Sequence, residues 1–145
     1  MFNLRLRFSV FLLVFAFLGL ALSSCQTDDD DDPAPAINSQ DLTVGSWRLD
    51  AIQEAGQTVS SGTAIKDRYS LTFRPDGTYT QKLLDDNTTF DGTWMLMGGN
   101  TILHFTDHKG DDHQYTLTSL TATELRYNRV NKENVVEENV FSAQP

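Results

Sequence analysis

The stretch RYSLTFRPDGTYTQKL, Arg68 to Leu83, decides the fold. Tyr69, Leu71 and Phe73 alternate with Ser70, Thr72 and Arg74. That two-residue period belongs to a strand with one buried face. Pro75-Asp76-Gly77 then breaks the pattern. Proline presets φ for a turn, and glycine accepts the positive φ that closes it. Tyr79 to Leu84 resumes as the partner strand, so the stretch reads as a β-hairpin.

The same grammar extends in both directions. Upstream, Val44 to Gln53 reads as a strand, with Trp47, Leu49 and Ala51 on one face and Ser46, Arg48 and Asp50 on the other. The polar connection Glu54–Lys66 is the widest gap; a short helix and a flexible lid both fit it. Downstream, Asp85-Asp86-Asn87 turns into Phe90–Met97, where Phe90, Gly92, Trp94 and Leu96 share a face. Gly98-Gly99-Asn100 is a strong hairpin signal. It leads into Thr101–Thr106, with Leu103 and Phe105 opposed to Ile102 and His104. After the polar loop Asp107–Asp112 come His113–Ser119, with Tyr115 and Leu117 inward, and Glu124–Val130, with Leu125 and Tyr127 inward. Asn131–Asn134 turns into Val135–Phe141.

No long segment of the domain shows a helical period. The pattern is all-β: about eight antiparallel strands on short hairpins. Short connections favour pairing between neighbours. Eight such strands close into a single small up-and-down β-barrel, which removes exposed edges. An open, bent meander and a small sandwich are the competing architectures.

The N-terminus reads as targeting rather than as domain. Arg5 and Arg7 precede a nearly unbroken apolar run, Phe8 to Leu22, followed by Ser23 and Ser24. This is the layout of a secretory signal. As a helix, that run would span about 22 Å, short of the about 30 Å hydrocarbon core. Leu22-Ser23-Ser24-Cys25 resembles the bacterial lipobox. The resemblance implies cleavage before Cys25 and lipidation of its thiol, with the membrane as partner through that lipid. Gln26-Thr27 and the five aspartates Asp28–Asp32 are similar to the acidic export signal of Bacteroidota surface lipoproteins. They read equally as a self-repelling spacer, continued by Pro33-Ala34-Pro35-Ala36. The expected division is 1–24 signal peptide, 25–40 lipidated cysteine and disordered linker, and 41–145 barrel domain. The resemblance places the protein at the outer membrane, on the cell surface.

Composition narrows the function classes. With one cysteine an intrachain disulfide is impossible. The chain carries 20 acidic against 11 Lys and Arg side chains, and no basic stripe interleaved with aromatics. Nucleic acid is therefore not an expected partner.

Gly45-Ser46-Trp47 resembles the G-x-W of lipocalins. GSWRLDAI, YSLTFRPDGTYT, GTWMLMGGNTILHF and YTLTSLTATELRY, in that order, are similar to the lipocalin-like domains of Bacteroidota lipoproteins. The resemblance covers residues 42 to 141 and implies a lipocalin-like barrel whose G-x-W tryptophan closes the base.

Candidate ligand-binding side chains are Trp47, Tyr69, Phe73, Tyr79, Trp94, Phe105, Tyr115 and Tyr127, most of which also suit a filled core. An eight-stranded barrel is just wide enough to be filled by side chains or to hold one small ligand. His104, His108 and His113 with Asp107, Asp111 and Asp112 are the one metal-like cluster, but their spacing matches no standard zinc site and reads as a solvated loop. No nucleophile elbow, Walker loop or H-E-x-x-H occurs. Neither catalysis nor a cofactor is expected. The leading expectation is binding of a small hydrophobic or amphipathic molecule. The alternative is a filled barrel that meets an envelope protein or a glycan.

Overall fold

The computed structural model describes residues 37–144. The expected signal segment, Cys25 and the acidic run lie outside the described residues. Strands β1 (Ser46–Glu54), β2 (Gln57–Ser61), β3 (Tyr69–Phe73), β4 (Thr78–Leu83) and β5 (Thr89–Met97) are followed by β6 (Ile102–Thr106), β7 (Asp112–Leu120), β8 (Glu124–Val130) and β9 (Val136–Gln144). A four-residue helix, α1 (Ser39–Leu42), precedes them.

Every pairing is antiparallel. β1 pairs with β3, each later strand pairs with the next, and β9 returns to β1. These eight strands form a closed barrel, which excludes the open meander and the sandwich. The last strand runs to Gln144, three residues beyond its expected end, and so pairs with β1 along nearly all of its length, from Ser46↔Gln144 to Glu54↔Glu137.

The Glu54–Lys66 connection holds a ninth strand before its helical turn. Ala55 (φ 47°) and Gly56 (φ 78°) make a two-residue turn, and β2 folds back along the second half of β1. Both turn residues need positive φ, as in the turn that matches strand twist best. A 3-10 turn, Gly62–Ala64, follows, and Ile65 tucks into the core. β1 thus changes neighbours midway: Ser46–Arg48 pair with β3, Ala51–Glu54 with β2. At the changeover the Arg68 Nε donates to the Leu49 carbonyl at 2.6 Å. A side chain supplies the bond that a strand neighbour would have made.

The register on β1 corrects one expected face. Leu49 pairs with Phe141 but Ala51 with Val140, so Asp50 is an extra, bulged residue. A bulge inverts the alternation beyond it. Ile52, opposite the buried Asn139, packs against the core in place of Ala51. Outside the barrel, the Asp50 carboxylate accepts from Arg48 Nε at 2.8 Å and also from Arg68 and Ser142. Partial burial works against its charge, yet the bonds from Arg48 and Ser142 hold its carboxyl below the usual carboxylate range.

One end of the barrel is solid. α1 and the β3–β4, β5–β6 and β7–β8 turns lie at this base. Trp47, Leu42, Leu103 and Leu125 are fully buried. The Trp47 indole Nε1 donates to the Leu42 carbonyl at 2.9 Å, and the Asn100 amide donates to the Ile37 carbonyl at 3.0 Å, so the helix is tied under the barrel. In the β3–β4 turn, Arg74 N–H donates to the Thr78 carbonyl and Gly77 takes φ 83°. Gly92 on β5 is required by packing. A Cβ there would overlap the Thr106 carbonyl and lie 2.6 Å from Tyr79 Cε1.

The candidate ligand cavity

The other end is the mouth, ringed by the β1–β2, β4–β5, β6–β7 and β8–β9 turns. Here the interior keeps a cavity of about 190 Å³. An engineered apolar cavity of about 150 Å³ holds a benzene molecule, so this one has room for a single ring with a short arm.

Strand period and register build the wall. Tyr69 and Leu71 on β3 face Leu83 and Gln81 on β4; Tyr79 lies opposite Gly92. Phe105 on β6 lies opposite His113 on β7, and Tyr127 on β8 lies opposite Leu117. Of the eight candidate residues, Tyr69, Tyr79, Phe105, Tyr115 and Tyr127 line the cavity. Trp47, Phe73 and Trp94 do not. Trp47 and Phe73 are buried in the packed half, and Trp94 stacks edge-on against Phe73 at 5.3 Å with its Nε1 donating to the Arg74 carbonyl. Four further residues complete the lining: Leu71, Gln81, Asp107 and His113.

The aromatic wall is continuous. Phe105 meets Tyr79 at 5.0 Å, Tyr115 at 5.6 Å and Tyr127 at 6.2 Å, all edge-to-face. Tyr115 and Tyr127 approach to 4.7 Å. Such contacts contribute about 0.5–1.5 kcal/mol each beyond area burial, so the wall is stiff. The Tyr69 and Tyr127 hydroxyls are 3.2 Å apart and share a hydrogen bond. Burial drives the Tyr69 phenol up to about 12 and the Tyr127 phenol well above its ordinary value. Both are neutral at any ordinary pH. Arg129 lies over the Tyr115 ring, 5.7 Å from its centroid, and its charge is answered by Glu137 at 3.2 Å.

At the mouth stands Asp107. Its Oδ1 accepts from the backbone N–H of Lys109 at 2.8 Å and of Asp111 at 3.0 Å; its Oδ2 lies 3.2 Å from His113 Nε2. The Asp111 N–H contributes most, and these bonds together hold the Asp107 carboxyl down to about 2. The loop that makes these bonds depends on Gly110 at φ 87°.

The three histidines of the metal-like cluster go three ways. His113 pairs with Asp107, His104 lies 3.5 Å from Asp112 on the outer wall, and His108 stacks on Phe90 at 4.5 Å over the rim. Among the described residues no group of three or more His, Cys, Asp or Glu side chains converges on a point that could hold a metal.

A closed antiparallel barrel with a tryptophan-plugged base and a cavity at the opposite end has the architecture of a lipocalin-like domain. The family model for the lipocalin-like domain matches residues 43–127, more than half the chain. The protein belongs to this family. Among curated proteins, none matches the chain.

Proposed function

We propose that this protein is a lipid-anchored lipoprotein of the cell envelope whose barrel binds one small hydrophobic or amphipathic molecule without transforming it. The observation that carries the binding reading is the asymmetry of the barrel interior. The base is filled to full burial at Trp47, Leu103 and Leu125, while the mouth keeps a cavity of about 190 Å³ walled by five aromatic rings. Concave, preformed sites that combine aromatic surface with a few placed polar groups are where small molecules bind. The cavity lies below the usual range of about 300–1,000 Å³, which restricts the occupant to a small one. For the non-catalytic reading, the support is chemical. The Asp107–His113 pair has no serine, threonine or cysteine beside it among the lining residues, and the buried phenols hold their protons. Anchoring rests on the lipobox-like Leu22–Cys25 after an apolar run, and surface location on the acidic run that follows it. The first resembles the bacterial lipobox, and the second the export signal of Bacteroidota surface lipoproteins.

The second reading, a scaffold whose outer face meets an envelope protein or a glycan, draws its support from the solid lower half. One experiment separates the two. The full chain is purified from membranes, and native mass spectrometry and a ligand-soaked crystal structure report the interior. Density for a small molecule between Tyr79, Phe105 and Tyr115 is expected. A cavity that stays water-filled against every apolar and amphipathic probe leaves the scaffold reading in its place. For the anchor, Cys25→Ala should move the protein from the membrane to the soluble fraction. An unchanged membrane fraction removes the lipoprotein assignment.

A further inference from the structure

We infer that the cavity selects a small organic cation, of the size of a monocyclic arylalkyl ammonium, with its ring among the tyrosines and its ammonium at Asp107. This rests on the binding reading above and names the ligand class for the same site.

Three observations fix the sign of the charge. First, Asp107 is the one carboxylate of the lining, and Lys and Arg are absent from it. A ligand carboxylate, such as a fatty acid would present, would meet a carboxylate there with no lysine or arginine of the lining to answer it. Second, the anion is held in place rather than neutralised by an arginine or lysine. Two backbone N–H groups fix Oδ1, and Oδ2, toward His113, keeps lone-pair capacity for another donor. The field of this carboxylate is felt at the Tyr79 side of the cavity, where it adds to burial in raising that phenol, while Arg129 acts in the opposite sense on Tyr69, Tyr115 and Tyr127. Third, the walls are aromatic faces and edges, and ring faces attract cations. The barrel already shows this preference in its own chemistry, with Arg129 set over Tyr115.

The rim adds to the same field. Asp85 and Asp86 in the β4–β5 turn and Asp111 and Asp112 beside Asp107 give the mouth a surplus of negative charge over Lys109 and Lys132. Like charge concentrated at an opening raises the local concentration of the opposite ion and speeds its arrival. Size sets the rest: a space somewhat larger than one that holds benzene takes one ring and a two- or three-atom arm, but not a long acyl chain.

The test uses three probes that share a phenylethyl arm, on the full chain in detergent, read by calorimetry: 2-phenylethylammonium, 2-phenylethanol and 3-phenylpropionate. The ammonium should bind about tenfold tighter than the alcohol, the scale of one charge-assisted hydrogen bond, and the carboxylate should be the weakest. Asp107→Asn keeps an oxygen for the Lys109 and Asp111 N–H groups. It should lower the affinity for the ammonium by more than that for the alcohol and so remove the ammonium's advantage. Equal binding of ammonium and alcohol, or tighter binding of the carboxylate, overturns the cation proposal while the binding reading stands. Binding of none of the three overturns both. The probe comparison on the unaltered chain decides the matter even if the variant folds poorly.

Discussion

The two ends of this barrel are made from the same strands and differ in what those strands point inward. At the base, inward positions carry Trp47, Phe73, Leu103, Leu117 and Leu125, each at most 5% exposed. Toward the mouth, the same strands present Tyr69, Gln81, His113 and Tyr115, and β8 and β9 present Arg129 and Glu137. The change occurs within two or three residues along each strand, a rise of about 7–10 Å. Apolar side chains interdigitate and expel water. Amphipathic rings with hydroxyls at their tips cannot fill the axis without stranding those hydroxyls, so space is left. Stability is concentrated in one half and recognition in the other.

The division can be broken from either side. The largest effect is expected at the plug. Trp47→Ala removes a fully buried indole and the bond to the Leu42 carbonyl, and should lower stability by about 3–5 kcal/mol, measured by urea unfolding. A loss under about 1 kcal/mol would mean that the base is not the structural half. Next comes Gly92→Ala, which forces a methyl against the Thr106 carbonyl and the Tyr79 ring. Overpacking of this kind costs about 1–3 kcal/mol, and because Tyr79 also lines the cavity, probe affinity should fall with it.

Smaller still is Tyr69→Phe, which deletes the hydroxyl bonded to Tyr127 and should cost about 0.5–1.5 kcal/mol. A larger loss would show the mouth to be as structural as the base. The last prediction concerns acid. Asp107 has a folded-state carboxyl at about 2, below its ordinary 3.8, so its contribution is present above pH 4 and is lost as pH falls toward 2. Thermal scans from pH 5 to pH 2 should therefore show a shallower fall in Tm for Asp107→Asn than for the unaltered chain, and matching slopes would contradict the bonding at Asp107.

Most of the barrel is legible because its code is local. Alternation names the inward residues of β3, β6, β7 and β8, and Pro75-Asp76-Gly77, Gly98-Gly99-Asn100 and Asn131–Asn134 name three of the turns. What escapes is what lacks a local code. β2 reads Gln57-Thr58-Val59-Ser60-Ser61, mostly exposed, so no buried face marks it as a strand. Its turn has alanine where asparagine or glycine is the usual signal. The bulge at Asp50 is invisible because a bulge is a property of two strands, not one. The site shows the same limit. Its aromatic wall is readable residue by residue, and Gln81 could have been found as well, two positions after Tyr79 on the same face. Asp107 and His113 show only their proximity along the chain. That they meet at the rim of a cavity depends on the register that sets His113 opposite Phe105.

The pairing of β1 with β9 has a consequence in time. The ring closes between segments at opposite ends of the described chain, with Trp47 opposite Ala143. Until Val136–Gln144 has emerged from the ribosome, β1 and β8 are each left without one neighbour, two ready edges for another chain. Contacts so distant in sequence also form slowly, in milliseconds to seconds for comparable β-barrels. A truncation of only the last ten residues would therefore do more than shorten the protein. It would leave the nascent chain permanently at its most adhesive stage.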